Sequence, residues 1–515
     1  MLYPPYRRCI RSECAGTKLG NPQQAFCRLY TLRRGILPAY EVSLYCAKCN
    51  TRYHYAYSVQ KPASQNAVRE YYEDCLPYIQ AQESSFLENK LCEYFEYYMC
   101  LSHTSTANLA RMYNSNLGQT DVMMSPHSAL LPEIAQNTIM DGFFMHALLR
   151  RFSWLHTPLT LPHNISHDHR FDSAMDQCNQ AMAGTGQPQY FHACHDCMKF
   201  FRREDGSLYY VRGGTTDGVT LGHPCCSQTN CQNRLASAKD RFCPAHKNLA
   251  SQCHIIGCEQ PASADFITCS ISEHRAKEQT ILSLISTEDF DDTVRDNTGI
   301  WEVNSAVMSG KKGQAKKQPT VRLRTTRRWT HNEQLFVLSC GVIIARATFF
   351  SHEGPASVKD FLKKIFPYPW LLPTHIFFDK ACLLLKHLRA QGDSFFNHVR
   401  LVVDVFHARN HHKEDDTFCN TNNNPALFPE LRTNQSGKEK WTLNSSNAEQ
   451  ANVWFGAFQA MTREMSVSRF NFFLDEMIFI RNEWIVKESA KKGKQPFLQS
   501  FEVMKDEWMQ MYSPQ

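Results

Sequence analysis

Residues 223–274 read HPCCSQTNCQNRLASAKDRFCPAHKNLASQCHIIGCEQPASADFITCSISEH and carry one spacing of cysteine and histidine twice. The spacing runs Cys226-x4-Cys231-x11-Cys243-x2-His246 in the first copy and Cys253-x4-Cys258-x10-Cys269-x4-His274 in the second. Each copy offers three thiolates and one imidazole, which is the donor set of a tetrahedral structural zinc site. We therefore predict two zinc ions in this stretch.

A disulfide framework is the alternative to metal binding, and the expected compartment decides between the two. The N-terminal sequence MLYPPYRRCIR lacks the apolar core of a signal peptide. The longest strongly apolar run, LFVLSCGVIIA at 335–345, is too short to cross a bilayer. We expect no membrane partner and a reducing compartment, where paired cysteines indicate metal sites before disulfides. Cys225 has no place in either copy and is interpreted as a bystander.

Length and composition indicate a folded chain of several domains. A chain of 515 residues holds roughly three domains of ordinary size. Its residues are 43% hydrophobic and 12% aromatic, which is enough to build cores and excludes wholesale disorder. The net charge of +6 is mild, so any strong attraction to a polyanion must come from a local concentration of charge.

Positive charge is concentrated in SGKKGQAKKQPTVRLRTTRR, residues 309–328, which holds eight Lys and Arg residues and no acid. Such a run is typical of a solvated linker or of a nuclear import signal. It is equally typical of a segment that contacts nucleic-acid phosphates, and binding would then depend on salt and not on sequence. The candidate DNA contacts are Lys311, Lys312, Lys316, Lys317, Arg322, Arg324, Arg327 and Arg328.

A second cysteine module, over residues 1–62, opens the chain. A Cys-x4-Cys pair and a Cys-x2-Cys pair flank AFCRLYTL and YEVSLYC, whose alternation predicts strands, and TRYHYAYSV predicts a third. This layout predicts a zinc-ribbon-like cluster; loose cysteines in a small β domain are the alternative. The predicted ligands are Cys9, Cys14, Cys46 and Cys49. Cys27 and His54 are candidate substitutes for one ligand.

Residues 63–185 are predicted to be a helical domain with a connector. VREYYEDCLPYIQ, SSFLENKLCEYFEYYMCLSH and STANLARMYNSNLG carry apolar residues at i, i+3 and i+4, which indicates helices. NTIMDGFFMHALLRRFSWL, residues 137–155, predicts one more helix. The stretch 157–190 is rich in His, Gly, Pro and Gln and is interpreted as a connector.

From residue 190 to residue 515 the pattern is that of an α/β domain. GSLYYVRGGTTDG, EQLFVLSC and VIIARATFF predict three strands, and ASVKDFLKKIF predicts a helix. HIFFDKACLLLKHL predicts a strand passing into a helix, RLVVDVFH a strand, and SSNAEQANVWFGAFQAMTREM a final helix. Three strands, helix, strand, helix, strand, helix is the element order of an RNase H-like fold.

Acidic residues stand where such a core would use them. Asp379 and Asp404 lie at the ends of apolar strands, and Glu449 lies in the first turn of the last helix. Two divalent cations roughly 4 Å apart need shared carboxylates to clamp both sides of an in-line phosphoryl displacement. Mg2+ or Mn2+ suits oxygen ligands, which leaves the thiolate sites to zinc.

These motifs resemble the Kyakuja–Dileera–Zisupton (KDZ) transposases and the proteins built from their associated cysteine clusters, over nearly the whole chain. YCAKCNTRYHYAYSV and TANLARMYN resemble one such cluster, and TTDGVTLGHPCC with the cysteines after it resembles another. RRWTHNEQLFVLSCGVIIARATFF, FFDKACLLLKHL, VVDVFH and NSSNAEQANVWFGAF resemble the transposase core. The resemblance implies a DNA transposase that cleaves phosphodiesters and joins the freed 3′ hydroxyl to target DNA.

The resemblance also implies a catalytic triad. In the family a Cys-x2-Cys precedes the strand of the first acid, which falls here on Cys194, Cys197 and Asp217, with the two cysteines as candidate zinc ligands. The second acid falls on Asp379 and the third on Glu449. A His/Cys motif before the third acid supplies further candidate zinc ligands, His407, His411 and Cys419; surface histidines are the alternative.

Residues 222–325, the tandem zinc module with the basic linker, are then an insertion in the transposase core. Two departures from the family keep a catalytically inactive copy open as the alternative. Val219 follows Gly218 where the family has Gly-Asn, and NSSNAEQ contains Glu449 as its one acid. The alternative function is therefore a domesticated, zinc-dependent DNA-binding or chromatin-associated protein.

Each candidate acid also has a purely structural interpretation. Asp217 precedes glycine, as turn residues commonly do. Glu333, at the start of the next strand, is the alternative candidate for the first catalytic acid. Asp379 has the place of a helix N-cap, and Glu449 that of a first-turn acid favoured by the helix dipole. Asp404 is the reserve metal ligand.

The expected partner is DNA and the expected compartment is the nucleus. A homo-oligomer on DNA ends is one arrangement open to such a protein. Zn2+ is expected as a structural ion, and Mg2+ or Mn2+ as the catalytic ion of an active core.

Overall fold

Two twelve-residue strands near the start of the chain, β1 (Gly20–Thr31) and β2 (Gly35–Cys46), pair as an antiparallel hairpin. This computed structural model describes residues 1–515 except 15, 73–75, 118–132, 207, 229–230, 256, 286–300, 304–320, 324–327, 351–352, 411–415, 436–437, 495, 499–504 and 506–515. The chain folds as two units. The first is Met1–Met182 with Val467–Trp484, and the second is Ala183–Ser466 with Ile485–Gln515.

The first unit contains an eight-stranded sheet in the order β6-β7-β1-β2-β3-β4-β5-β8. Its other strands are β3 (Thr51–Tyr53), β4 (Tyr57–Gln60), β5 (Val68–Tyr71), β6 (Tyr78–Gln82), β7 (Ser85–Glu88) and β8 (Thr160–Pro162). β7 runs parallel to β1, and the other neighbours are antiparallel. Gly35 has φ of 66°, a left-handed conformation that glycine adopts without strain where the hairpin turns.

The sheet extends past the predicted ribbon boundary at residue 62 and includes residues predicted as helical. The helical prediction for residues 68–80 is wrong, because this segment forms β5 and β6. Tyr71 pairs across the sheet with Tyr57 on β4, with ring centroids 5.2 Å apart, and such cross-strand pairs stabilise strands. Pro77 also lacks the N–H that a helix interior requires.

Helices complete the first unit: α1 (Asn89–Ser102), α2 (Thr106–Met112), α3 (Gln136–Trp154), α4 (Asp172–Met182) and the first part of α12 (Val467–Lys491). The predicted helices around 89–112 and 137–155 are thereby confirmed. The predicted connector is not structureless, since it contains β8 and α4.

A buried ion network holds the α12 segment within the first unit. Arg150 donates to Glu96 on α1 at 2.9 Å and to Glu476 on α12 at 2.7 Å. Arg151 donates to the second oxygen of Glu476, and His146 lies 2.6 Å from Glu96. Because both carboxylates are buried, loss of one partner would leave an uncompensated charge in the interior.

The second unit is built on a mixed sheet in the order β15-β14-β11-β16-β17, with β10 also paired to β11. The strands are β10 (Met198–Arg202), β11 (Leu208–Val219), β14 (Asn332–Leu338), β15 (Ile343–Phe349), β16 (His375–Phe377) and β17 (Arg400–Val402). β15, β14 and β11 are antiparallel neighbours, whereas β11, β16 and β17 are parallel. The strands and helices predicted for this part of the chain are present, but the strand predicted for RLVVDVFH ends at Val402, and Val405–Asn410 is a helix.

Crossover helices join the parallel strands, as parallel pairing requires. The helices of the second unit are α5 (Ser272–Ile285), α6 (Pro355–Ile365), α7 (Ala381–Gln391), α8 (Val405–Asn410), α9 (Thr417–Asn422), α10 (Asn447–Gly456), α11 (Gln459–Thr462) and the end of α12. Three short strand pairs are β9 (His192–Ala193) with β20 (Phe497–Leu498), β12 (Trp301–Val303) with β13 (Val321–Leu323), and β18 (Arg432–Gln435) with β19 (Lys438–Trp441). Leu362 of α6 and Leu384 of α7 are fully buried in one apolar core with Ile344 and Ile376 of the sheet.

The tandem cysteine stretch lies between β11 and β14, which are hydrogen-bonded neighbours. The chain leaves and re-enters the sheet side by side, because Pro224 bridges Trp329 and the Cys225 N–H donates to the Arg328 carbonyl at 2.8 Å. Within the described ranges, no helix combines the length and apolar character needed to cross a membrane.

Candidate metal centres

The first copy of the repeated spacing forms a compact Cys3His group of Cys226, Cys231, Cys243 and His246, whose ligand atoms all lie within 4.8 Å of one another. A tetrahedral zinc centre with metal–sulfur bonds of about 2.3 Å separates two sulfurs by about 3.8 Å, and sulfur from nitrogen by about 3.6 Å. The Sγ atoms of Cys231 and Cys243 are 3.8 Å apart. Cys226 Sγ lies 3.6 Å from His246 Nδ1. These separations fit a bound zinc ion.

The second copy forms an equivalent group of Cys253, Cys258, Cys269 and His274. Cys258 Sγ lies 3.8 Å from Cys269 Sγ, and Cys253 Sγ lies 3.6 Å from His274 Nδ1. Burial raises the pKa of Cys269, but hydrogen bonds from the Ile271 backbone and from His274 outweigh it and bring the pKa down to about 7. A lowered pKa favours the thiolate, which is the form that binds metal.

Cys9, Cys14, Cys46 and Cys49 form a third group, at the predicted N-terminal cluster. The Cys14–Cys46 and Cys9–Cys49 sulfur separations are 3.8 and 3.6 Å. Burial raises the pKa of Cys9, but hydrogen bonds from Cys14 and Tyr53 outweigh it and lower the pKa to about 7. The three groups together are compatible with structural zinc.

The two candidate substitute ligands of this cluster lie elsewhere. Cys27 stands outside the four-cysteine group on β1, and burial, followed by the nearby Glu41 carboxylate, raises its pKa to about 11. His54 Nδ1 lies 3.4 Å from a carboxylate oxygen of Glu41. Neither residue is needed to complete the cluster.

Cys194 and Cys197 are joined by two residues that sequence reasoning missed, His192 and Cys340. The Sγ atoms of Cys194 and Cys197 are 3.7 Å apart. His192 stands only two residues before Cys194, so the spacing His-x-Cys-x2-Cys was a usable signal. Cys340 lies in the turn between β14 and β15, more than a hundred residues away in sequence, and no local spacing points to it.

The structure describes two residues of the predicted group of His407, His411 and Cys419, and each of the two lies with other neighbours. Cys419 lies with Cys382 and Asp416, because α7 and α9 are neighbours in contact. His407 lies instead 3.1 Å from an oxygen of Asp379. His411 lies outside the described residues.

Three aspartates occupy equivalent positions along the three parallel strands, Asp217 within β11 and the other two just beyond the ends of β16 and β17. The sheet register aligns Thr215 of β11 with Phe377 of β16 and Val402 of β17. Asp217, Asp379 and Asp404 each follow their member of this row by two residues. Equal offsets along neighbouring parallel strands bring side chains to one end and one face of a sheet.

The fourth carboxylate, Glu449 of α10, lies close to the same place. His407 Nδ1 is 3.1 Å from Asp379, 3.7 Å from Glu449 and 3.8 Å from Asp404. The four carboxylates of Asp217, Asp379, Asp404 and Glu449 are called the acidic cluster below. The sequence-predicted triad is therefore brought together with its reserve Asp404.

Electrostatics tie Asp217 to the rest of the acidic cluster. Burial raises the pKa of Asp217 to about 7, aided by the negative charges of Asp379, Glu353 and Glu449. Burial also raises the pKa of Asp379, and the Asp404 and Glu449 carboxylates add to this while His407 opposes it. Glu353, just before α6, is a neighbour that sequence reasoning missed, since it stands in a loop without a motif. Crowded carboxylates of this kind favour a bound cation.

Asp217 is not a turn residue, because it lies inside β11. The side-chain amide of Asn452 on α10 donates to its Oδ2 at 2.7 Å. Glycine follows Asp217 because a Cβ at Gly218 would lie 1.7 Å from the Asn332 side chain on β14. The Asp-Gly pair thus reflects close packing of strands and not chain reversal.

The competing acid Glu333 has a different partner. It is buried on β14 and forms an ion pair with Arg346 at 2.6 Å and accepts from Thr348 at 2.9 Å. Asp404 has a second, structural task, since its Oδ2 accepts the Phe406 backbone N–H at 2.7 Å at the start of α8.

Most of the predicted DNA contacts lie outside the described residues: Lys311, Lys312, Lys316, Lys317, Arg324 and Arg327. Arg322 is in β13, and only its backbone is described. Arg328 donates to the backbone carbonyl of Lys239 at 2.7 Å, so its guanidinium contacts the tandem module.

Two family models match this chain. A CxC5-like cysteine cluster associated with KDZ transposases matches residues 1–117, and a CxC6-like cysteine cluster associated with KDZ transposases matches residues 215–280. The matches enclose the N-terminal group and the tandem module. Comparisons with curated proteins and with solved structures gave no match.

Proposed function

We propose that this KDZ transposase-like protein, which carries two of the cysteine clusters associated with such transposases, is a metal-dependent DNA transposase acting in the nucleus. The observation that supports this best is the acidic cluster. It gathers carboxylates from β11, from the ends of β16 and β17, and from α10. DNA cleavage and strand transfer are the activities that such a site would carry in a transposase.

The sheet of the second unit supports an RNase H-like core as its fold. Its order places an antiparallel set, β15-β14-β11, beside a parallel set, β11-β16-β17. In open α/β sheets, ligands bind at the carboxyl ends of the parallel strands. The acidic cluster lies at that end.

The donor set of the acidic cluster suits Mg2+ or Mn2+ and not zinc. Its carboxylate oxygens are hard ligands, and the thiolates of the chain are gathered elsewhere. Asp217, Asp379 and Glu449 would hold the ions, with Asp404 in reserve. Such ions activate water and stabilise both the attacking and the leaving oxygen of a phosphodiester.

The residues of the chain prepare this site for a cation. Asn452 fixes one oxygen of Asp217 by its amide. Repulsion among the neighbouring carboxylates helps to raise the pKa of Asp217 and Asp379. A bound divalent cation would relieve this repulsion, so the site favours the metal-bound state over the empty one. His407 contacts three of the carboxylates and would have to yield its place among them.

A catalytically inactive DNA-binding scaffold is the second candidate, and His407 is the observation that favours it. Its ring nitrogen lies within 3.8 Å of Asp379, Asp404 and Glu449. An imidazole in this position occupies the space that a metal ion shared by these carboxylates would need. Assays of DNA cleavage by the purified full chain with Mg2+ or Mn2+, against the Asp379→Ala variant, decide between the two functions.

DNA binding is proposed to involve the basic segment 309–328. Changing its four lysines to glutamine, in the variant K311Q/K312Q/K316Q/K317Q, should weaken binding about equally for all DNA sequences. The slope of log K against log salt is negative, and each lost phosphate contact should reduce its magnitude by about 0.9. Fluorescence anisotropy titrations at several salt concentrations measure both quantities.

A control variant with four exposed lysines of the first unit changed, K18Q/K48Q/K61Q/K90Q, carries the same change of net charge. Equal weakening in the control would mean that overall charge is responsible. An unchanged affinity and salt slope in the first variant would make the segment a linker or an import signal.

The raised pKa of Asp217 predicts a pH-dependent stability. The folded protein keeps a proton on this carboxyl up to about pH 7, whereas the unfolded chain releases it near pH 4. The free energy of unfolding should therefore fall as pH rises from about 4 to about 7. Asp217→Asn should abolish this loss and raise the melting temperature at pH 8 by about 1–2 °C for each kcal/mol recovered in a unit of this size.

Thermal melts in Mg2+-free buffer at pH 4 and pH 8 measure this effect. Asp360→Asn, at an exposed side chain of α6, is the control and should show no difference at either pH. A stabilisation by Asp217→Asn that is the same at both pH values, or a destabilisation at pH 8, would contradict the assignment.

A further inference from the structure

A fourth group of four potential zinc ligands, the third with three cysteines and one histidine, lies in the sheet core of the second unit, outside both matched cysteine clusters. It consists of His192, Cys194, Cys197 and Cys340, with ligand atoms within 4.8 Å of one another. His192 is 4% exposed, Cys194 2% and Cys197 fully buried. Among the described residues, the Nε2 atom of His192 has no hydrogen-bond partner although it is buried.

We infer that this group binds a structural zinc ion that ties the turn between β14 and β15 to the Cys-x2-Cys loop before β10. Three thiolates and one imidazole make a closed tetrahedral donor set, and the 3.7 Å sulfur separation of Cys194 and Cys197 fits it. A redox role for the same pair is disfavoured, because reactive thiols need exposure and these two have none. The bound ion would also satisfy the His192 nitrogen.

A chain of hydrogen bonds connects the site of this zinc ion with α10. The Cys197 carbonyl accepts the Gly213 N–H of β11 at 3.1 Å, and the Gly213 carbonyl accepts the Ser339 N–H at 3.1 Å. The Ser339 carbonyl in turn accepts the side-chain amide of Asn447. Asn447 begins α10, the helix of Glu449.

The zinc ion is therefore a positioning device for α10. It fixes Cys340, and with it the neighbouring Ser339 carbonyl, to which the first residue of α10 is hydrogen-bonded. This positioning role rests on the proposed function, since it matters to catalysis only if Glu449 is a metal ligand. The zinc site itself does not rest on it.

Elemental analysis of the purified full chain tests the zinc site. Cys340→Ala should lose one zinc equivalent relative to the parent. Cys178→Ala, at a buried cysteine of α4 outside the four groups, should keep the parental count. An unchanged count in Cys340→Ala would overturn the inference. If Cys340→Ala is insoluble, His192→Ala should lose the same equivalent while His192→Cys retains it, and equal counts in the two would also overturn it.

Hydrogen exchange of peptides from residues 443–458 tests the positioning of α10. Exchange in Cys340→Ala should be roughly ten-fold faster than in the parent, with His192→Cys close to the parent. Zinc loss without faster exchange would refute the positioning role and leave the zinc site standing. A parent chain that binds the zinc but cleaves no DNA would count against the proposed function alone.

Discussion

DNA cleavage by the full chain is expected to disappear when Asp379 is replaced by alanine, whereas zinc content and DNA affinity stay at their parental values. Asp379 stands between Asp217 and Asp404 in the register of the parallel strands and lies 3.1 Å from His407. Removing a ligand at the centre of such a site should cost at least about 10²–10³-fold in rate. Gel assays with Mg2+ or Mn2+ measure the loss, and Ca2+ should bind without supporting turnover.

Three further variants show whether the acidic cluster acts as a unit. Glu449→Ala should be nearly as damaging as Asp379→Ala, and the double variant little worse than either. Asp404→Ala tests the reserve ligand: if it is inactive while Glu449→Ala is active, the triad is wrong and the nuclease interpretation survives. Asp360→Ala, at an exposed side chain of α6, is the matched control.

The DNA-transposase proposal itself can fail in a definite way. A parent chain that cleaves no DNA with either ion, at any pH between 6 and 9, would leave the DNA-binding scaffold as the better function. Activity retained in Asp379→Ala would remove the acidic cluster from the reaction.

Changing Cys243 to serine is expected to unfold the tandem module and release zinc. Cys243 is fully buried, and its sulfur lies 3.8 Å from Cys231 and 3.3 Å from His246 Nδ1. Few apolar residues support this stretch, so metal binding, worth about 10–16 kcal/mol in small zinc modules, supplies much of its folding energy. Elemental analysis should show the loss of at least one zinc equivalent, and limited proteolysis should cut within residues 223–274.

Cys225→Ser is a closely matched control for this experiment. Cys225 is buried directly after Pro224 of the sheet bridge, yet it lies outside the four-ligand groups of the described chain. Its variant should keep all zinc and resist the protease. Zinc-free parental protein that is soluble and folded under reducing conditions would defeat the metal assignment for the whole module.

The cysteine clusters could be predicted from sequence because their ligands are close together along the chain. His246 follows Cys243 by three residues, so a spacing alone identifies the pair. The group of Cys194 and Cys197 could be only half predicted, since Cys340 reaches it through the pairing of β11 with β14. The neighbours of Cys419 could not be predicted for the same reason, because Cys382 is on another helix.

The acidic residues could be predicted from a different signal, the ends of apolar runs. Asp379 and Asp404 could be placed because an apolar run ends just before each, which marks a strand end. Glu353 could not be placed, since a loop residue carries no periodicity. The strands β5 and β6 were missed because aromatic residues at mixed spacings fit both periods, and only pairing with neighbouring strands decides between them.

The side-by-side entry and exit of the tandem module have a consequence for folding. The Thr216–Gln334 hydrogen bond of β11 and β14 closes a loop of 118 residues. The entropy of closing such a loop grows only with the logarithm of its length, so doubling the insertion would cost about 0.6 kcal/mol. Lengthening or shortening the insertion thus changes stability little, whereas the β14–β15 hairpin, whose contacts are local, can form long before β11 joins it. The sheet therefore tolerates the insertion of a metal-binding module between β11 and β14, but we expect the pairing of these two strands to be slow during folding.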